Sequence, residues 1–484
     1  MGAASRRAAE ARRGGVTPSD ALCRLTAAQA AAAIRTRTLS PVDLVDAALD
    51  RIARLNPRLN AYCTVAAESA KAAASAASEA VRRGDALGPL HGVPVSIKDL
   101  IPTAGLRTTF GSRRRRAFVP AEDAAVVARL RRAGAVVLGK TNTSEFGHKA
   151  VTDNLLFGPT RNPWNPAYAA GGSSGGAAAA VATGLGPLAV GTDSGGSIRA
   201  PASCCGVFGM KPTLGRVAAA PAFGGLETTN HIGPITRTVA DAALLLRVMA
   251  GPDGRDIGSL PDDGTLSDAT VAPLPRGLRV CWSADWGYAA VDPEVLGVAR
   301  RAAERFEAIG CRLEAAHPGF ASPEEAFATL GAVNAAAQFA DDDALEGLDP
   351  SFAPWVRAGR SRRAVEFVRA AHQRRVVGDA LVRLFSRFDL LLTPTLAAPP
   401  PRIGVDSHAR IAGREVSPLG WLALTFPISM AGCPAASVPC GSTADGLPVG
   451  LQIVGPRFAD ALVLRAAAAF EAAAPWADAW PPGA

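Results

Sequence analysis

The chain has 484 residues, 48% of them hydrophobic, which is enough to bury a large core, and no uninterrupted apolar tract long enough for a membrane span. Its formal charge of +8 invites a nucleic-acid reading, but the excess sits in the amino-terminal tail (Arg6, Arg7, Arg12, Arg13) and in Arg113 to Arg116, with no basic stripe interleaved with aromatics, so a solvated surface is expected and nucleic acid is excluded as a partner. Eight scattered cysteines with no CxxC and no zinc spacing to histidine predict reduced thiols, no metal site and a cytoplasmic protein.

Residues 1–17 read as a disordered basic tail without the apolar region of a secretory signal, and 18–484 as one domain. Thr26 is an expected cap for a helix over 27–35. Ser40, Pro41 and Asp43 open a second helix that Asn56-Pro57 should stop near Leu55. A third is predicted from Val65 to Arg83. GVPVSIKDL then reads as a strand that carries Lys98 on the same face as Ser96, followed by a helix from Asp123 to Gly134 and a strand from Ala135 to Leu138. That βαβ rhythm predicts an α/β fold with a largely parallel sheet. KTNTSEFG from Lys140 is a loop in which Asn142 and Glu145 either touch substrate or cap local backbone, and Asn154 to Pro166 is irregular.

Two glycine- and serine-rich loops, Gly171 to Gly176 and Gly191 to Ser197, bracket an alanine run expected to be a buried helix and a short strand, Leu188 to Val190. Gly251 to Pro275 reads as a surface linker, Leu278 to Ser283 as a strand, and Pro293 to Gly310 as a helix. Pro323 to Arg387 is a long helical region with a break at Pro354; its aromatics Phe352, Trp355, Phe367 and Phe385 line a channel or fill a core. A last helix is predicted over 460–473.

The chemistry concentrates in the glycine loops. Glycine costs roughly 0.5–1 kcal/mol relative to alanine inside a regular element, so such density signals unusual backbone or a close approach. Serines there have hydroxyls beside free backbone N–H groups, the equipment of a nucleophile and an oxyanion hole. A base is then needed. The chain has only five lysines against 51 lysines plus arginines, and one of the five, Lys98, lies in an apolar strand. Arginine stays protonated in proteins whereas buried lysine can lose its proton, so Lys98 is either a general base or a snorkelling or ion-paired strand lysine.

GGSSGG, GTDSGGSIR, GVFGMKPT, the lysine of GVPVSIKDL, LLLTPTLAAPP and AASVPCGSTADGLPVGLQIVG together resemble the amidase signature family of serine hydrolases, from about Thr26 to about Phe470. The resemblance implies one domain with a large mixed, mostly parallel, twisted sheet covered on both faces by helices. It implies Ser197 as acylated nucleophile, Ser173 as a bridging serine after a cis peptide, and Lys98 as base. It also implies an oxyanion hole of the N–H groups of Ser194, Gly195, Gly196 and Ser197, with Ser174, Asp193 and Arg199 bracing the loops. The region 323–387 varies in the family and tends to cap the pocket. With it, Asn142, Leu156, Phe157, Phe223 and Leu226 are the expected substrate pocket. The implied reaction is hydrolysis of small-molecule amides, with carbamates (as in urethanases) and aryl esters as further substrates, by a monomer or homodimer with no cofactor and no membrane partner.

Two other readings compete. Gly172 to Gly176 formally fits G-x-S-x-G with Ser174 as an esterase nucleophile, but Asn162 to Ala170, with two prolines, is a poor strand to precede it. The chain is alternatively the amidase subunit of a tRNA-dependent amidotransferase. Apolar Leu422, Leu424 and Phe426 favour a freestanding hydrolase with a hydrophobic acyl or aryl substrate.

Overall fold

The computed structural model describes residues 17–221, 228–267, 269, 272–339 and 345–484. Residues 1–16 of the expected basic tail, Phe223 and Leu226 lie outside them, while Thr17 caps a helix over Pro18–Cys23. Eleven strands form one sheet: β1 (Tyr62–Val65), β2 (Pro94–Lys98), β3 (Val136–Thr141), β4 (Leu188–Asp193), β5 (Phe208–Lys211), β6 (His231–Thr236), β7 (Arg279–Trp282), β8 (Arg312–Ala315), β9 (Leu390–Pro394), and, after a small hairpin of β10 (Arg410–Ile411) and β11 (Arg414–Glu415), β12 (Ala435–Ser442) and β13 (Pro448–Val454). Their spatial order is β1-β3-β2-β4-β6-β5-β12-β13-β9-β7-β8.

The α/β class and the mixed sheet are as expected, with parallel pairing confined to two flanks. β2 runs parallel to both β3 and β4, and β7 to both β8 and β9; every other neighbouring pair is antiparallel. The βαβ rhythm that predicts parallel strands exists only where helices join those strands. Strand periodicity divides the core. Val95, Ile97, Leu188, Val190, Leu390, Leu392, Leu451 and Ile453 feed a core on one face, while Ala189, Leu391 and Val454 feed cores on the other.

Local signals placed most elements. Thr26 and Gln29 form a capping box at Ala27–Arg35. The helix that begins at Pro41 runs on to Leu59 with Pro57 inside its last turn, rather than stopping at Leu55. Asn60 closes it in the left-handed conformation, and Asn56 exchanges two hydrogen bonds with the Tyr62 backbone, which turns the chain into β1, a strand absent from the expectation. Among the described residues, the region 323–387 holds three helices, Glu324–Ala337, Phe352–Arg360 and Ala364–Phe385. Pro354 breaks none of them, since it falls in the first turn of its helix, where a missing N–H has no intrahelical partner to lose. Asp460–Ala473 is a helix as predicted. No described helix is long and apolar enough to cross a membrane.

Candidate active site

Adjacent parallel strands end together, and their carboxyl ends carry the first polar groups of the site. Lys98 is the last residue of β2, and Thr192 lies near the end of β4, paired with it through Ile97 and Val190. Ser173 sits in the loop that opens the Gly175–Ala182 helix. All eight residues of that helix are buried, and it approaches so closely that a Cβ on Gly176 would lie 2.4 Å from the Ala61 carbonyl oxygen. The run of alanines is therefore a packing requirement. Ser197 sits in the turn between β4 and the Arg199–Cys205 helix.

Lys98 is fully buried. Its Nζ lies 2.8 Å from Ser173 Oγ, 2.9 Å from Thr192 Oγ1 and 3.5 Å from the Thr192 carbonyl oxygen. Burial pushes the amine well below the ordinary lysine range, and Asp193, the one anion acting on it, offsets this only in part. Ser173 and Thr192 are buried and Ser197 is half-buried. The Gly172–Ser173 peptide is cis. Ser173, Thr192, Ser194 and Ser197 share the floor of one open cavity.

Asp193 organises the turn. Its carboxylate accepts from the N–H groups of Gly196 (2.7 Å), Ile198 (3.1 Å) and Arg199 (3.4 Å) and from two guanidinium nitrogens of Arg199, each at 2.9 Å. Arg199 reaches on to the Thr425 carbonyl, Gln452 Oε1 and Ser429 Oγ. Burial raises the Asp193 carboxyl, and the Arg199 charge and hydrogen bonds overcome it, holding the group well below the usual carboxylate range. Both partners are completely buried. The Gly196 N–H thus points at Asp193, which corrects the expected four-donor hole. Among the described residues, the N–H groups of Ser194, Gly195 and Ser197 keep no intramolecular partner.

The bracing expected of Asp193 and Arg199 has this physical form. Ser174 braces too: it is fully buried, its N–H donates to the Ser197 carbonyl at 3.1 Å and its hydroxyl to the Thr192 carbonyl at 3.2 Å. A hydroxyl so placed cannot meet substrate, and no strand immediately precedes it, so the esterase reading has no geometric basis. Sequence reasoning missed Thr192, Thr425, Ser429 and Gln452. For Thr192 a signal existed, since it directly precedes Asp193 in GTDSGG.

The cavity walls differ from expectation. Asn142, Leu156 and Phe157 do not line the cavity. Asn142 instead holds loops, donating to the Gly158 carbonyl and Thr160 Oγ1 and accepting from Asn154. Phe157 lies under the Arg107 guanidinium. Glu145 accepts from the Asp349 N–H. Leu422, Leu424 and Phe426 are buried beneath the turn and do not reach the cavity. Its apolar walls are Leu100, Phe146, Phe327, Leu330, Phe352 and Trp355. Of the four flagged aromatics, Phe352 and Trp355 line the cavity, and Phe367 and Phe385 pack on a core.

Comparison with known proteins shows the family of the chain. The family model described as Amidase matches residues 43–464. The chain is 42% identical over 460 residues to an acylamidase of Rhodococcus erythropolis, covering 94% of this chain and 96% of that one. It is 38% identical over 480 residues to a glutamyl-tRNA(Gln) amidotransferase subunit of Moorella thermoacetica, covering 92% and 96%. Among solved structures, a bacterial aryl acylamidase of the amidase signature family superposes with a TM-score of 0.87 at 34% identity, over 93% of this chain and 96% of that one. A lysine-bearing strand, two glycine-serine loops and this sheet, matched over nearly the whole length, make the chain a member of the amidase signature family and an amide-hydrolysing enzyme.

Proposed function

We propose that this enzyme hydrolyses amides through an acyl-enzyme on Ser197, with Lys98 as general base acting through Ser173. One observation carries the reading: a fully buried amine 2.8 Å from a hydroxyl that opens onto the same cavity floor as Ser197. A neutral amine has two N–H donors and one lone pair. Thr192 offers two acceptors, Oγ1 and the carbonyl, which take the donors and leave the lone pair for the Ser173 proton.

As Ser197 Oγ bonds the substrate carbonyl carbon, its proton passes to Ser173 Oγ while the Ser173 proton passes to Lys98. The oxyanion is held by the N–H groups of Ser194, Gly195 and Ser197, each important donor contributing about 3–4 kcal/mol. The proton returns from Lys98 through Ser173 to the leaving nitrogen as the C–N bond breaks, the amine departs, and the acyl group stays on Ser197. Water then adds to the acyl carbon, giving its proton to the same relay, and the carboxylic acid leaves as Ser197 recovers its hydrogen.

The aromatic and aliphatic walls support aryl or hydrophobic acyl amides as substrates, with carbamates and aryl esters presenting the same carbonyl to the same donors. Those walls also favour a freestanding hydrolase over an amidotransferase component. We further read residues 18–484 as one domain, since one sheet recruits strands from residue 62 to residue 454, acting as a monomer or homodimer with no nucleic-acid partner. Eight unpaired cysteines support a reducing, cytoplasmic setting. Purified enzyme tested on 4-nitroanilide, aryl ester and aryl carbamate substrates, with Ser197→Ala as control, decides the reading. Activity that survives in the variant overturns it, and ammonia release from glutamine only in the presence of a partner protein restores the amidotransferase alternative.

A further inference from the structure

One helix runs the length of the cavity. From Glu324–Ala337 and the residue that caps it, Phe327, Leu330, Gly331, Asn334 and Gln338 all face the cavity, a stripe at three- and four-residue spacing. The inner end touches the chemistry: a Cβ built on Gly195 would meet Phe327 Cζ at 2.7 Å, so the Phe327 ring lies directly on the turn that bears the free N–H groups, backed by Phe426 with ring centroids 5.0 Å apart. The outer end, Gln338, is exposed. Between them the wall is apolar, with Leu330 and with Trp355 seated against Gly331, where a Cβ would be 3.0 Å from the indole.

Asn334 interrupts that apolar wall. It is half-buried, and its side-chain amide has no hydrogen-bond partner among the described residues; Gln338 Nε2 approaches only the main-chain carbonyl of Asn334, at 3.5 Å. A carboxamide on an apolar wall without a protein partner leaves its donors and its acceptor free for a ligand. At 1.5 Å rise per residue, Asn334 stands ~10 Å along the helix from Phe327. Among the described residues no Asp, Glu, Lys or Arg lines the cavity. The one lining imidazole, His148, is engaged by the Glu145 carbonyl and Ser351, and burial pushes it down to about 4, so it is neutral at physiological pH.

We infer that this helix acts as a ruler for substrate. The preferred substrate is an uncharged amide with an apolar or aromatic segment beside the scissile carbonyl and a second hydrogen-bonding group, such as another carboxamide, ~10 Å away at Asn334. The inference rests on the amide-hydrolysing site described above and names its substrate class; Asn334 is the specificity-determining residue.

The test uses two pairs of amides. In one pair the acyl chain of a 4-nitroanilide ends ~10 Å from the carbonyl in a primary carboxamide or in an isopropyl group of the same shape. In the other pair the same two ends sit on the amine side of an aryl amide. In one of the two pairs the carboxamide substrate has a kcat/KM about tenfold higher. Asn334→Leu brings the two within about twofold, and Asn334→Asp shifts preference to an ammonium-ended analogue, a gain that a merely structural role would not produce. Equal rates in both pairs, or a preference that survives in Asn334→Leu, overturn the inference alone. Hydrolysis of none of the four overturns the amidase reading as well.

Discussion

Lys98 and Thr192 meet twice: the Lys98 Nζ lies 2.9 Å from the Thr192 hydroxyl and 3.5 Å from its carbonyl oxygen, at the ends of two neighbouring parallel strands. The pairing aims the third direction of the amine at Ser173. Removing the hydroxyl with Thr192→Val lets the lone pair wander. Steady-state kinetics should show kcat lowered ~10- to 100-fold with KM little changed, and Thr192→Ser should recover most of it. Equal losses in both variants would assign Thr192 a packing role.

Ser197→Ala should abolish turnover, by roughly 10³-fold or more, with the thermal midpoint preserved. Intact-mass spectrometry after a slowly hydrolysed aryl ester should show an acyl adduct on the parent enzyme and none on the variant. An adduct located on Ser173 or Ser174 would move the nucleophile.

Lys98→Ala should lose more activity at neutral than at alkaline pH, because hydroxide partly replaces the missing base. In the parent enzyme the amine already lies well below the ordinary lysine range through burial, so activity near neutral pH should be retained. A pH-rate profile of kcat/KM for the two proteins checks both statements.

The same depressed amine has a stability consequence of definite sign. The unfolded chain binds a proton on Lys98 up to the ordinary lysine range near pH 10.5, whereas the folded chain releases it at lower pH. Its burial therefore costs stability below the folded value, and the cost is relieved as pH rises toward 10.5. Lys98→Met should be more stable than the parent at neutral pH, with the gap narrowing toward alkaline pH. Urea unfolding at three pH values measures it.

Asp193→Asn leaves the buried Arg199 without its counter-charge. Breaking a buried pair costs about 3–5 kcal/mol, which at ~2.1 cal/mol/K per residue lowers the thermal midpoint of a chain this long by roughly 3–5 °C. Activity should fall by at least ~10²-fold as well, since the same carboxylate fixes the Gly196 and Ile198 N–H groups that shape the donor turn.

Much of this was readable in one dimension, because the signals are local. A capping box spans Thr26 to Gln29, a lysine among β-branched neighbours announces a buried strand, and an alanine run between glycine loops can only be a helix under close packing. What failed was also local in origin. Pro57 read as a stop because its sequence neighbours hide the Asn56–Tyr62 pairing that lets the helix finish its turn.

Residue types and their spacing determined the family and the parallel flank of the sheet, and singled out Ser197, Ser173 and Lys98 as the candidates for chemistry. Only the tertiary structure decided which hydroxyls face the cavity, that Asp193 takes the Gly196 N–H from the expected donors, that Asn142 and Phe157 belong to the scaffold, and that Phe327 and Asn334 form the wall. Lys98 and Ser173 are 75 residues apart, and Arg199 and Gln452 are 253. Contacts across such separations come from how helices and strands close around a common core, and no pattern within a few residues of either partner encodes them.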